Sequence, residues 1–258
     1  MTSPFVRFRQ AVLELSLDHG LSDWPSSLLM RRDGDWATYY APFDHVNTFA
    51  RIVLVGITPG LQQAGNALQA LQRELRCGTP DAEALAIAKR HASFSGPMRR
   101  NLIDLLDHIG IPGLLGIAST DRLFAERTDL VHYTSALRYP VTLKGRNYGG
   151  SPAITATPYT REELHWLAEE VAALPHAVFV PLGPAATDAL ELVARDNGLP
   201  AAHCLSGLPH PSGANAERIA YFCGRKPRES LSAKTDPTRL DNARNRLTER
   251  VRSLGVLA

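Results

Sequence analysis

The stretch that decides the fold reads Arg51, Ile52, Val53, Leu54, Val55, Gly56, Ile57, Thr58, Pro59, Gly60, Leu61. Its run of β-branched and aliphatic residues predicts a buried parallel strand, and the Gly-x-x-Pro-Gly turn after it ends the strand abruptly. In an open α/β sheet the ligand crevice lies outside the carboxyl ends of strands, so the turn is a candidate site. Taken alone, the same turn would also fit a structural connection between a strand and a helix.

A second turn rich in proline and glycine follows another short apolar run late in the chain: His210, Pro211, Ser212, Gly213, Ala214, Asn215. In this order the two turns resemble the paired motifs of the uracil-DNA glycosylase superfamily. Its members carry a turn such as Gly-Ile-Asn-Pro-Gly near the amino end and one such as His-Pro-Ser-Pro-Leu-Ser or Asn-Pro-Ser-Gly near the carboxyl end. The resemblance covers roughly residues 45 to 225.

The order of elements predicts an α/β fold in three layers, with a small, mostly parallel four-stranded sheet flanked by helices, as in that superfamily. Further strands are expected at 129–136, 177–182 and 202–206, and a helix begins at Pro97 with Ser95 as its cap. We expect one domain for 258 residues of which 44% are apolar. Residues 1–44 form a helix and lead-in, 45–225 the core with a helical insertion at about 62–110, and 226–258 a basic helix.

Composition narrows the partners and cofactors. The three cysteines are far apart, which argues against zinc and against a disulfide framework. Some branches of the superfamily hold an iron-sulfur cluster with four cysteines, and a chain with three is not expected to belong to them. No apolar run is long enough to span a membrane and no signal peptide is evident, so we expect a cytoplasmic protein. We also expect a monomer that needs neither a cofactor nor a metal. The net charge of +2 means that contacts with DNA must come from local patches.

The resemblance implies hydrolysis of the N-glycosidic bond of a nucleotide that has been flipped out of DNA. Negative charge grows on the departing base, so the site must supply donors to the base and orient a water molecule. His210 matches the histidine that donates to the departing base. Ser212, with Gly213 and Asn215, would contact the DNA phosphates. Gly56, Ile57, Pro59 and Gly60 would form the wall of the base pocket.

The departures from the family motifs bear on the mechanism. Thr58 stands where relatives carry the Asp or Asn that positions water, and Ile57 stands where other branches carry a catalytic Glu. A threonine hydroxyl can orient water, but it cannot act as a base near neutral pH. Asp44 and Asn147 are therefore reserve candidates for this role, together with Asn47.

Other positions indicate which base is read. Uracil-specific relatives carry an Asn at the end of the second strand, where this chain has Thr134 and Ser135. They also carry a Tyr that excludes groups on the fifth carbon of the pyrimidine, where this chain has Gly60. The open space favours a modified pyrimidine, for example the glucosylated hydroxymethylcytosine of phage DNA, and a role in defence against phage. Phe94 stands where the family has an aromatic that stacks on the base, and a core position is the alternative.

Two basic segments are candidate DNA contacts. The loop at 144–150 offers Lys144 and Arg146 to phosphates and Tyr148 to a base, although a solvated hairpin would have the same composition. The helix after residue 225 carries many arginines, which suit DNA and also suit an ordinary solvated face. The alternatives to a modified-base glycosylase are uracil repair, a catalytically weak DNA-binding module, and a hydrolase of small molecules.

Overall fold

The computed structural model describes residues 3–94 and 96–256. The cap predicted at Ser95 lies outside them. The strands are β1 (Leu29–Asp33), β2 (Trp36–Tyr39), β3 (Ile52–Gly56), β4 (Val131–Ser135), β5 (Val141–Leu143), β6 (Arg146–Asn147) and β7 (Val178–Pro181). The helices are α1 (Pro4–Glu14), α2 (Leu61–Arg76), α3 (Asp81–Ala92), α4 (Pro97–His108), α5 (Ile111–Leu115), α6 (Pro158–Glu163), α7 (His165–Ala173), α8 (Pro184–Asp196), α9 (Ala216–Phe222) and α10 (Pro237–Leu254).

A parallel sheet of three strands, in the order β4-β3-β7, confirms the expected α/β class. Strands β3 and β7 pair in parallel from Ile52 opposite Val178 to Val55 opposite Pro181. Ile52 to Val55 are completely buried, which explains why the strand reads as an unbroken aliphatic run.

The predicted fourth parallel strand at 202–206 is wrong. Ala201–His203 form a turn of 3-10 helix after Pro200, and only Cys204 makes an isolated parallel bridge, to Phe179. The Leu205 N–H still donates to the Phe179 carbonyl at 2.8 Å. The chain therefore touches β7 for too short a distance to form a strand.

A second, antiparallel sheet has the order β1-β2-β5-β6 and was not predicted. Its first two strands lie in the lead-in, and β2 pairs with β5 from Trp36 opposite Leu143 to Thr38 opposite Val141. The loop at 144–150 begins as a hairpin between β5 and β6, in agreement with the alternative considered for it. Its two turn residues, Lys144 and Gly145, have positive φ angles of 52° and 72°, as a type I′ turn requires.

The chain divides into two compact units. Unit 1 comprises Met1–Val46, Gly56–Ser93 and Tyr133–Glu170, and unit 2 comprises Asn47–Val55, Phe94–His132 and Val171–Ala258. Each unit is built from separated stretches, so this division does not split the sequence into two consecutive domains. The expectation of a single domain stays a prediction.

The core of unit 1 packs α1 and α2 around aromatic residues of the lead-in. Phe8 stacks on Tyr40 with ring centroids 5.0 Å apart, and Leu68 and Leu71 of α2 are completely buried. Within the described part of the chain, no helix is both long and apolar enough to cross a membrane.

Candidate functional site

The first motif turn lies beside the end of β4. The Gly56 carbonyl accepts a hydrogen bond from Ala136 N–H at 2.8 Å, and the Ile57 carbonyl accepts one from Leu137 N–H at 2.9 Å. Thr134 and Ser135, the last residues of β4, directly precede this contact. Unit 1 thus brings the predicted pocket residues of the first turn together with those of the second strand.

Thr58 is occupied by the backbone that follows β4. Its hydroxyl donates to the Tyr139 carbonyl at 2.9 Å and accepts from the Val141 N–H at 3.0 Å. A threonine hydroxyl has one proton and two lone pairs, so only one acceptor site remains for another partner. In this arrangement Thr58 can accept a hydrogen bond from water but cannot donate one.

Asn147 lies above the same turn. Its Oδ1 accepts a hydrogen bond from Leu61 N–H at 3.2 Å, at the first residue of α2. A Cβ on Gly60 would come 3.2 Å from Asn147 Nδ2, so glycine allows this close approach. Asn147 is exposed, and Nδ2 donates to no other described residue. A free amide donor therefore lies beside Gly60, although the two residues are far apart in the sequence.

Asp44 is held by two tyrosines. Its carboxylate accepts hydrogen bonds from Tyr40 Oη at 3.0 Å and Tyr139 Oη at 2.9 Å. Burial raises the pKa of Asp44 above 3.8, although both hydrogen bonds and the charge of Lys89 oppose the shift. Tyr139 thus connects Thr58, through its carbonyl, with Asp44, through its hydroxyl. The sequence did not single out Tyr139.

A buried ionic network fixes the lead-in that carries Asp44. Lys89 Nζ donates to the carbonyls of Phe43 at 2.9 Å and His45 at 2.7 Å, and lies 3.8 Å from the Glu170 carboxylate. Glu170 also accepts from Arg138 Nε at 2.8 Å. Burial lowers the pKa of Lys89 to about 8, against the attraction of Glu170. The signal in the sequence was a lysine at helical spacing from apolar neighbours on α3, which the sequence analysis missed.

The other predicted DNA contacts of unit 1 differ in exposure. Lys144 and Arg146 are exposed, and Lys144 Nζ lies 3.9 Å from Asp35. Tyr148 is buried, packs edge-on against Trp36 with ring centroids 5.2 Å apart, and donates its hydroxyl to the Pro152 carbonyl. This packing favours a structural role for Tyr148, and its stacking on a base stays a prediction.

Phe94 belongs to unit 2, where it begins the segment that leads into α4. Its side chain is buried, and its φ of 47° is unusual for a residue other than glycine. The burial is what the core alternative expects, while stacking on a base stays a prediction.

The second motif, also in unit 2, fixes the protonation of His210. The Ser212 N–H donates to His210 Nδ1 at 3.2 Å, so a neutral ring carries its proton on Nε2. Burial lowers the pKa of His210 below 6.5, which keeps the ring neutral. A Cβ on Gly183 would come 2.9 Å from His210 Cβ, so this histidine packs closely on the turn after β7.

Three side-chain hydrogen bonds hold the rest of the second motif. Asn101 Nδ2 donates to the Pro211 carbonyl at 2.9 Å, and Asn215 Nδ2 donates to Ser212 Oγ at 3.2 Å. Arg218 donates to Asn215 Oδ1 at 2.6 Å. Gly213 lies in the single 3-10 turn between Ser212 and Asn215. The predicted phosphate contacts of this motif are therefore presented by one anchored turn.

A cavity of about 510 Å³ in unit 2 adjoins the second motif. Its walls come from the turn after β7, the first turns of α8, the second motif and the start of α10, with charged residues of both signs. The residues that line it are Gly183, Pro184, Thr187, Asp188, Glu191, Ser206, Gly207, Leu208, Pro209, His210, Asn215, Arg218, Lys234, Asp236, Arg239, Leu240, Ala243 and Arg246. His210 thus contributes to a space large enough for a small ligand.

The two motifs belong to different units: Gly56 to Gly60 with Asp44 and Asn147 to unit 1, and His210 to Asn215 to unit 2. Each unit organises its own set of predicted residues. The expectation that both turns enclose one pocket stays a prediction.

Comparison with known proteins relates the chain to an uncharacterized bacterial protein. No protein-family model matches the chain, and no solved structure matches it significantly. Over 201 residues the chain is 37% identical to the uncharacterized protein YoxB of Bacillus subtilis (strain 168), a match that covers 76% of this chain and 78% of the relative. The chain therefore belongs to the same family as YoxB.

Proposed function

We propose that this protein is a DNA glycosylase that hydrolyses the N-glycosidic bond of a modified pyrimidine after the nucleotide has left the duplex. The observation that carries the proposal is the state of His210, whose Nδ1 accepts from Ser212 N–H and whose pKa is lowered by burial. A neutral ring with its proton on Nε2 is a preorganised donor. Together with the two sequence motifs, it matches what a departing base requires.

His210 would act on the leaving group. As the bond between sugar and base lengthens, negative charge grows on the base, and Nε2–H donates a hydrogen bond to a base oxygen. A preorganised donor of this kind contributes about 10²–10³ in rate, because it stabilises the transition state more than the substrate. Protonation of Nδ1 would set two donors against each other at Ser212 N–H, so only the neutral ring keeps the motif intact.

Thr58, Asn147 and Asp44 share the task of the attacking water in this proposal. The remaining lone pair of Thr58 accepts from water, and the free amide of Asn147 donates to it. Asp44, whose pKa is raised by burial, is the candidate base. The reaction would then depend on water orientation and on stabilisation of the leaving group more than on a strong base.

The substrate follows from the small residue at Gly60. The Tyr that excludes substituents on the fifth carbon in uracil-specific relatives is absent here, and the amide of Asn147 lies 3.2 Å from where a Cβ of residue 60 would be. A pyrimidine substituted at the fifth carbon would then meet this amide instead of an aromatic ring, and glucosylated hydroxymethylcytosine of phage DNA is the proposed example. The protein would be a cytoplasmic monomer with a fold of the uracil-DNA glycosylase type, and it would act in defence against phage. Exposed Lys144 and Arg146, with Ser212 and Gly213, would contact the DNA phosphates.

The test is release of the base from defined duplexes. Purified protein is incubated with duplexes that carry uracil, a 5-substituted cytosine or a glucosylated base, and abasic sites are detected by alkaline cleavage. We expect cleavage at the substituted cytosines and a loss of about 10²–10³ in rate for His210→Gln. His176→Gln, which removes an exposed histidine of the same unit, is the matched control.

Cleavage at uracil alone would replace this proposal with ordinary uracil repair. Equal rates for His210→Gln and the wild type would remove its central step.

A catalytically weak DNA-binding module is the second candidate, and the contacts of Thr58 favour it. Both the proton and one lone pair of this hydroxyl serve the backbone of Tyr139 and Val141, as in a purely structural turn. Under this alternative, DNA binding persists in His210→Gln and no base is released from any of the duplexes. Affinity measured by fluorescence anisotropy, next to the cleavage assay, separates the two candidates.

A further inference from the structure

Most cations of the segment after Gly224 already have partners in the protein. Arg225 pairs with Asp104, Lys226 with Glu217, Arg228 and Arg244 with Asp241, and Arg250 with the carbonyls of Ala201 and Cys204. Arg225, Lys226 and Arg250 hold this segment to the rest of unit 2, whereas the ion pairs of Asp241 lie within the segment. They need no external ligand to account for their charge.

Three cations of the same segment are different. Lys234, Arg239 and Arg246 are exposed, and their side chains form no hydrogen bond or ion pair with any described residue. All three line the cavity beside His210. The one other cation of the segment without such a partner is Arg252, which lies away from this cavity in a shallow groove with Val251 and Val256.

The arrangement of α10 explains why these cations share a wall. Leu240, Ala243 and Leu247 are buried, and Arg239 and Arg246 flank them seven residues apart, two turns along the same side of the helix. Gly207 lets the loop before His210 approach the helix, since a Cβ there would come 3.3 Å from Ala243 Cβ. The helix is thus pressed against the loop that leads into the second motif.

Carboxylates also line the cavity, but they do not neutralise this wall. Asp188 and Glu191 project from α8, and neither forms an ion pair with a cation among the residues described. Asp236 is used as the cap of α10, accepting from Arg239 N–H at 3.1 Å. The cavity therefore keeps unpaired positive charge at one wall and hydrogen-bond acceptors at another.

We infer that Lys234, Arg239 and Arg246 bind the phosphate of a nucleotide, with its sugar or base directed toward Asp188 and Glu191. Guanidinium and ammonium groups are the side chains that bind phosphate oxygens best, and the carboxylates would accept from hydroxyl or amino groups of the same ligand. A cavity of about 510 Å³ has room for one nucleotide. The inference rests on the proposed function, because His210 lines the same cavity; the phosphate comes from a DNA strand or from a free nucleotide.

The test compares two arginines of α10 that differ in position. Arg246→Gln and Arg252→Gln each remove one positive charge from an exposed side chain without a described partner, but only Arg246 lines the cavity. Binding of the full chain to an unmodified, labelled duplex is measured by fluorescence anisotropy from low to high salt. We expect Arg246→Gln to weaken binding about tenfold and to reduce the salt slope by about one, with little change for Arg252→Gln.

A second measurement identifies the source of the phosphate. Inorganic phosphate and 2′-deoxycytidine 5′-monophosphate are titrated by calorimetry into the wild type and Arg246→Gln. If the free nucleotide binds to the wild type but not to Arg246→Gln, the site takes free nucleotides. If the wild type binds the duplex but not the free nucleotide, the phosphate comes from a DNA strand. Equal effects of the two substitutions on the duplex, with no binding of either free ligand, would overturn the inference.

The test of the phosphate site can succeed or fail independently of the test for base release. If the wild type excises a base while Arg246→Gln binds DNA as Arg252→Gln does, and neither free ligand binds, the inference fails and the proposed function stands. If no base is released but the Arg246-specific change in salt slope is observed, the phosphate site stands and the glycosylase proposal fails.

Discussion

The hydroxyl of Thr58 can support the first turn or contact the attacking water directly, and a pair of substitutions separates these two roles. Thr58→Val keeps the shape of the side chain but leaves the Tyr139 carbonyl and the Val141 N–H without their partner. We expect a loss of about 1–3 kcal/mol in the free energy of unfolding, because these groups lose a hydrogen bond inside the protein. Thr58→Ser retains the hydroxyl and serves as the control in urea denaturation.

A Thr58→Val protein as stable as Thr58→Ser, but slower in base release, would contradict the structural role and favour direct contact with water. If Thr58→Val loses both stability and activity relative to Thr58→Ser, the hydroxyl acts as a support for the turn. The position of Thr58 after a buried strand could be read from the sequence. Its partners could not, because Tyr139 lies 81 residues away and only the folded chain brings them together.

His45 makes stability depend on pH. Burial, reinforced by the charges of Lys89 and Arg90, lowers the pKa of His45 from 6.5 to about 4. Between these values the unfolded chain binds a proton that the folded chain does not, so this group makes stability rise with pH in that window and fall as the pH drops below 6.5.

Replacing His45 with Gln should therefore flatten the dependence of the free energy of unfolding on pH between about 4 and 6.5. The change in slope corresponds to less than about one proton, because His45 is only half-buried and solvent weakens the effect. Urea denaturation at several pH values in this range measures it. A slope as steep in His45→Gln as in the wild type would assign the dependence to other groups.

At the scale of elements, the two glycines that flank α8 form a matched pair. Gly183 and Gly198 have φ angles of 87° and 69°, so a side chain at either position is strained. A Cβ at Gly183 would also come 2.9 Å from His210 Cβ, whereas one at Gly198 would meet nothing within 4 Å. Only the first substitution displaces the second motif.

We expect Gly183→Ala to be about 1–3 kcal/mol less stable than Gly198→Ala, because overpacking adds to the backbone strain. Thermal or urea denaturation measures the difference, and Gly183→Ala alone should lose binding to the duplex or release of the base. Equal stability of the two variants would mean that the His210 turn yields to the extra methyl group.

The hairpin between β5 and β6 offers a second matched pair. Gly145 has a φ of 72° and Gly149 does not have a positive φ, while a Cβ at either would meet nothing within 4 Å. Gly145→Ala should therefore cost about 1 kcal/mol of stability, and Gly149→Ala much less. Because this hairpin carries Asn147 over Gly60, Gly145→Ala should also slow any reaction that uses Asn147. A Gly145→Ala protein with wild-type stability would argue against the observed turn.

The elements show which parts of a fold can be read from one sequence. Strands β3 and β7 were predictable because each is a short, continuous apolar run that ends at a turn rich in glycine and proline. Strands β1 and β2 were missed because aromatic, turn-rich segments of this length form a strand only when β5, about a hundred residues later in the chain, supplies the partner. The strand predicted at 202–206 was wrong for the opposite reason. Its residues favour a strand locally, but only Cys204 pairs with a neighbouring strand, at Phe179.

At the scale of the whole molecule, the division into two units passes through secondary structure. It separates Val55 from Gly56 inside β3 and His132 from Tyr133 inside β4. Unfolding of one unit would break β4 in its middle and would detach the last residue of β3. We therefore expect the chain to unfold as one cooperative domain, as its length suggested.

Glu170→Gln tests this cooperativity, because the Lys89, Arg138 and Glu170 network lies wholly within unit 1. Glu170 is completely buried, and loss of its charge removes the carboxylate that Lys89 and Arg138 share and leaves Arg138 with only the exposed Glu169, at a cost of about 3–5 kcal/mol. Glu169→Gln is the control, since its side chain is 59% exposed and lies 3.7 Å from the same arginine. In hydrogen exchange, cooperative unfolding requires that Glu170→Gln lower the protection of β7 and α10, in unit 2, as much as that of α2 and α3, in unit 1. A loss of protection confined to α2 and α3 would instead mean that the two units unfold separately, and the chain would then have to be treated as two domains.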